Sequence, residues 1–89
     1  MKHLSINITG NVQGVFFREG AKKRAEEFGL AGTVGNMGDG SVQIEVEGED
    51  GAIDQFLAWC QKGPGGAEVR SVGVQEGEVQ GMEGFEIVK

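Results

Sequence analysis

The sequence predicts an α+β fold, a two-layer sandwich with two helices on one mostly antiparallel sheet. Apolar residues alternate with period two in several short stretches, and two longer stretches show helical spacing instead. These stretches follow one another as strand, helix, strand, strand, helix, strand, with a short strand at the end. The chain has 89 residues and 38% hydrophobic residues, which predicts a single domain over residues 1–89 with one small core.

The first strand covers His3 to Thr9, with Leu4, Ile6 and Ile8 on the buried side and Ser5, Asn7 and Thr9 on the other. His3 reads as an ordinary strand residue. A glycine loop follows. From Phe17 the spacing becomes helical, and Phe17, Ala21, Ala25 and Phe28 share a stripe up to Gly29, which suits the position just past a helix end. Gly20 is unexplained near the start of that helix, where it costs up to about 1 kcal/mol against alanine. Leu30 to Val34 reads as the second strand, and Asn36-Met37-Gly38-Asp39-Gly40 as a hairpin turn. Ser41 to Glu47 alternates cleanly, with Val42, Ile44 and Val46 inward and Gln43, Glu45 and Glu47 outward. Asp50 is the expected N-cap of a second helix. Its buried stripe is Ile53, Phe56, Leu57 and Cys60, and Gly63-Pro64 ends it. Glu68 to Val74 alternates with Val69 out of step, which points to a bulge or a twist. A mobile, solvated connection over residues 76–84 leads to the last strand, Phe85 to Val88. Phe16, Phe17, Phe28, Phe56, Trp59 and Phe85 are expected in or beside the core. Two βαβ halves in this order make a ferredoxin-like sandwich.

The formal net charge is −6, so a general nucleic-acid or anionic-membrane surface is not expected. No stretch has the apolar core of a signal peptide or the length of a membrane span. One cysteine and one histidine leave almost no ligands for a zinc site, and no cofactor or metal is expected. Cys60 reads as a small buried hydrophobe. These features predict a cytoplasmic monomer.

The most informative stretch is Gly10 to Arg18, between a strand and a helix. Two glycines permit a sharp turn, and the amides of such a turn can converge at the positive end of a helix. Arg18 falls in the first helical turn and adds a planar fork of donors suited to phosphate. The stretch therefore reads as an anion site. Asn36 lies near the end of the second strand and faces the same cavity if the two strands are neighbours. Each feature alone has a plainer reading: Arg18 as a surface ion-pair residue, Asn36 and Asp39 as turn formers, Gln13 as a loop brace, and Lys22, Lys23 and Arg24 as a solvated face.

Taken together, Gly10-x-Val12-Gln13-Gly14-Val15-x-Phe17-Arg18 and Gly32-x-Val34-x-Asn36-x-x-Asp39-Gly40-x-Val42 resemble the two signatures of the acylphosphatase family. Gly48, Gly63-Pro64, Ala67, Val69 and Phe85-x-Ile87 extend the resemblance over nearly the whole chain. It implies hydrolysis of acyl phosphates, with the phosphoryl group held by Arg18 and the backbone of Val12, Gln13, Gly14, Val15, Phe16 and Phe17. It implies that Asn36 holds the attacking water, and that the partner is a small acyl phosphate with inorganic phosphate as product and inhibitor. Two positions depart from the family: Thr33, where an aromatic is usual, and Gly35, where a long residue is common. The alternative is a non-catalytic module that binds an anion such as carbamoyl phosphate. A sheet-face RNA reader is disfavoured, since Gln43, Glu45 and Glu47 stand where stacking aromatics and bases are needed.

Overall fold

The computed structural model describes Met1–Lys89. Its elements are β1 (Lys2–Asn11), α1 (Phe17–Glu27), β2 (Ala31–Asn36), β3 (Val42–Gly48), α2 (Asp50–Lys62), β4 (Glu68–Gly77) and β5 (Phe85–Ile87). The strands form one sheet in the order β4-β1-β3-β2-β5. Every neighbouring pair is antiparallel except β2 and β5. The predicted α+β, ferredoxin-like order is therefore the observed one.

The core follows from the alternation. Register sets Leu4 opposite Val46, Ile6 opposite Ile44 and Ile8 opposite Val42, so these six share one face of the sheet. They join Phe17, Ala21 and Ala25 of α1 and Ile53, Phe56 and Cys60 of α2 in one buried cluster. Burial pushes the Cys60 thiol up to about 12, which leaves it inert as a nucleophile. The α1 terminus closes as the sequence predicts. Gly29 donates its amide to the Glu26 carbonyl at 3.1 Å, and Leu30 to the Ala25 carbonyl at 2.8 Å.

Gly20 now has a reason. A Cβ there would sit 2.9 Å from Cζ2 of Trp59, so the missing side chain lets the indole of α2 lie against α1. Trp59 in turn meets Phe17 with ring centroids 5.3 Å apart. The expected bulge is also present. Thr9 pairs with Ser71 but Gly10 pairs with Val69, which leaves Arg70 as the extra residue of β4.

Three expectations change. The N-cap of α2 is Glu49, without a side-chain cap bond, and Asp50 is the first helical residue. Its carboxylate approaches the N-terminal amine of Met1 at 3.5 Å instead. Phe16 is 75% exposed rather than core. The third concerns the outward face of the sheet. His3 and Glu47 point away from the helices, yet each is only 2% exposed. The chain must cross from β4 at one edge to β5 at the other, and this crossing covers them.

Glu47 anchors the crossing. It accepts the amides of Gln80 at 2.8 Å and Met82 at 2.5 Å, while His3 Nδ1 lies 2.8 Å from its Oε2. His3 Nε2 lies 2.8 Å from Glu45, which also accepts Ser5 Oγ at 2.6 Å. The Gln80 amide first, then His3 and the Met82 amide, hold Glu47 down at about 2 against its desolvation. Burial alone would lower His3, but hydrogen bonds and charge from Glu45 and Glu47 outweigh it and raise it. Glu45 is held low by Ser5, His3 and Gln43 against its own desolvation.

The signs define a window. A depressed carboxylate stabilises the fold above its ordinary value and loses that contribution as pH falls through its folded value. A raised histidine stabilises below its ordinary value and loses the contribution as pH rises through its folded value. The network is therefore complete between about pH 4.5 and 6.5. Replacing Glu47 by Gln is expected to lower the urea midpoint most inside that window and to open the 78–84 crossing to limited proteolysis. Equal midpoints for the two proteins throughout would show that other contacts hold the crossing.

Candidate active site

The site is assembled where β1 ends and α1 begins. Gly10 takes φ +132, and a Cβ there would lie 2.0 Å from the Glu68 carbonyl oxygen. The room this glycine creates is therefore filled by β4 backbone rather than left for a ligand. Val12 is buried and pins the following turn to the core. Gly14 takes φ +75 with open space beside it, which is the feature a ligand-approaching turn needs. Val15 rests half-buried against the core.

Phe16 and Phe17 part company at the helix start. Phe17 turns inward and is buried. Phe16 is the N-cap residue at φ 63, ψ 26, a left-handed conformation that costs a non-glycine residue about 1–2 kcal/mol. Its carbonyl accepts the Gly20 amide at 3.0 Å, so α1 is committed from that point. No backbone amide from Gly14 to Glu19 donates to another backbone group, leaving a run of N–H groups at the positive end of α1. A cleft of about 130 Å³ opens there, lined by Val12, Gly14, Phe16, Phe17, Arg18 and Glu19.

Gln13 ties this loop to the β2–β3 turn. Its Nε2 donates to the carbonyls of Met37 at 2.8 Å and Ser41 at 2.9 Å. Asp39 shapes the same turn by accepting the Ser41 amide at 3.0 Å and its hydroxyl at 2.6 Å, and those bonds hold its carboxyl below the usual range. The brace and hairpin readings of Gln13 and Asp39 describe these contacts.

β1 and β2 are not neighbours, because β3 lies between them, and Asn36 does not line the cleft; Arg18 and Asn36 meet instead through one acceptor. Nη1 of Arg18 donates to the Lys89 carbonyl at 2.6 Å, and the Asn36 backbone amide donates to the same oxygen at 3.2 Å. Arg18 takes part in none of the ion pairs with Asp or Glu side chains. Oδ1 of Asn36 is buried without a protein partner. A buried carbonyl oxygen in that state favours a donor such as a water O–H. Two other basic residues of α1 are engaged elsewhere: Lys22 bonds Glu26 and the Phe85 carbonyl, and Arg24 bonds Glu27.

The role of Lys89 has no side-chain signal in the sequence, because a main-chain carbonyl makes the contact. Gly35 permits it. A Cβ at Gly35 would lie 3.2 Å from atoms of both Val88 and Lys89, so the small residue lets this segment lie on β2.

The arrangement is thus a turn of free amides, a guanidinium without an Asp or Glu partner and an orphaned amide oxygen at one end of the sheet. A protein-family model described as acylphosphatase matches residues 4–87 of this chain. The chain belongs to the acylphosphatase family. An acylphosphatase of Rubrobacter xylanophilus is 44% identical over 87 residues, spanning 97% of this chain and 79% of that one. The crystal structure of acylphosphatase from Bacillus subtilis superposes with a TM-score of 0.97 at 34% identity and covers 100% of both chains. An acylphosphatase from Coxiella burnetii superposes with a TM-score of 0.94 at 36% identity, over 98% of this chain and 92% of that one.

Proposed function

We propose that this acylphosphatase-family chain hydrolyses acyl phosphates to a carboxylate and inorganic phosphate, with Arg18 and Asn36 as its two catalytic side chains. The observation that carries the assignment is the meeting of Arg18 and Asn36 at the Lys89 main-chain oxygen, with Arg18 also lining the cleft of the free loop amides. Arg18 has five N–H donors and gives one to Lys89, a tether that orients the fork while the others remain for phosphoryl oxygens. The backbone of Val12 to Arg18 completes the phosphate site. Asn36 Oδ1 accepts from the attacking water and sets its approach to phosphorus.

The chemistry matches what these groups can do. An acyl phosphate carries a good leaving group, so no strong general acid is required. Phosphoryl transfer then rests on positioning and charge stabilisation, which amides and a guanidinium supply. The water's proton passes to the substrate's own phosphate. The proposal includes residues 1–89 acting as one domain, a monomer in the cytoplasm, with inorganic phosphate as product and inhibitor. No helix is long and apolar enough to cross a membrane.

The decisive test follows benzoyl phosphate by ultraviolet absorbance without added metal, for wild type, Arg18→Ala and Asn36→Ala. Turnover by wild type and its loss in both variants is expected. Phosphate binding without turnover would overturn the hydrolase assignment, and full activity in either variant would overturn that residue's role.

A pH profile gives a separate expectation. His3 is the one side chain whose ordinary value lies near neutrality, and it sits at the far end of β1 beside Glu47. Seven residues at about 3.3 Å each separate it from Gly10 by roughly 23 Å. Enzyme ionisation should therefore leave kcat nearly flat from roughly pH 5 to 8. A steep step near neutrality that survives correction for substrate ionisation would contradict the proton route.

A further inference from the structure

Phe16 holds two unfavourable positions at once. Its ring is 75% exposed, and its backbone is left-handed, a conformation that is an outlier for a bulky residue. No packing against the core or against another aromatic ring offsets the exposure. Phe17, Phe56, Trp59 and Phe85 form the aromatic pairs of the fold, and Phe16 belongs to none of these. It is also absent from the core and from the apolar residues packed around it. The residue does line the cleft that holds Arg18 and the free amides. Strain of this kind, kept beside a binding cleft, points to a ligand contact.

We infer that Phe16 is the platform for the acyl group and makes the enzyme select uncharged, apolar acyl phosphates, flat ones above all. The inference rests on the hydrolase reading above. With the phosphoryl group fixed by the loop and Arg18, the acyl group leaves the cleft across its rim, where the Phe16 ring stands. An aromatic face there favours a planar apolar body over a methyl group. Glu19, on the same cleft, and the net charge of −6 oppose an acyl group that carries its own carboxylate.

The test compares kcat/KM for benzoyl phosphate with that for acetyl phosphate in wild type, Phe16→Ala, Phe16→Gly and Phe16→Tyr. Both substrates share the phosphoryl contacts, so their ratio isolates the acyl contact from any change in the loop. Gly fits the positive φ and removes the ring, which separates the ring's effect from backbone strain. The benzoyl-to-acetyl ratio is expected to fall about three- to tenfold in the Ala and Gly variants, mainly through KM for benzoyl phosphate, and to return in Tyr. Equal losses on both substrates would overturn the platform while leaving the hydrolase reading intact. Failure of wild type to hydrolyse either substrate would overturn both.

Discussion

Arg18→Ala is expected to lower kcat/KM by about 10²–10³-fold, the effect of removing a principal donor from a developing oxyanion. The side chain is half-buried, unpaired with any Asp or Glu side chain and oriented by a single bond to the Lys89 main-chain oxygen. Charge in the phosphoryl transition state is spread over oxygens that a planar fork can reach together. Arg18→Lys keeps the charge and loses the fork, so it should recover little. The variant also makes a clean kinetic test. The fold loses one exposed hydrogen bond, worth about 1 kcal/mol or less, so the thermal midpoint should move little. Retention of more than about a tenth of wild-type kcat/KM would remove Arg18 from the chemistry. A large fall in midpoint would instead assign the residue to stability, through its tie to the end of the described chain.

The contrast between what was and was not legible in the sequence has one physical origin. Alternation and helical spacing are local, and they located the β1–β3 core pairs, the α1 stripe and the bulge signalled by Val69. The two glycine-containing motifs led to Arg18 and Asn36, which the fold ties to one carbonyl. Features set by distant segments were not legible. Glu47 sits on the outward face as its alternation requires, but a crossing more than thirty residues later buries it, and no local pattern reports that. Gly20 is explained only by Trp59 on the other helix. Phe16 misled by residue type, since an aromatic beside Phe17 suggests core and the left-handed turn between them sends the two rings opposite ways. Nor does the sequence show that Gly10 admits β4 backbone, a partner almost sixty residues away.

Gly10→Ala is the second large expected effect. The added methyl would lie 2.0 Å from the Glu68 carbonyl oxygen and 2.8 Å from the Arg70 nitrogen. Both atoms belong to backbone at the β4 bulge, so no side-chain rotation relieves the overlap. Backbone strain at φ +132 adds about 1–3 kcal/mol and overpacking a similar amount, giving a loss of about 2–6 kcal/mol. For a domain of this size that is a large share of total stability, and the thermal midpoint should fall by more than about 10 °C. Gly14→Ala is the control. Nothing lies within 4 Å of its missing Cβ, so only the strain of φ +75 applies, about 1–2 kcal/mol. The pair separates two uses of glycine in one loop. Gly10 lets β1 and β4 close on each other and so fixes where the loop begins, whereas Gly14 shapes the turn that presents the amides. Gly10→Ala should therefore lose the more stability, and Gly14→Ala should lose phosphate affinity with the smaller fall in midpoint. Equal midpoints for the two variants would mean that the bulge yields to the methyl and that β4 does not position the loop.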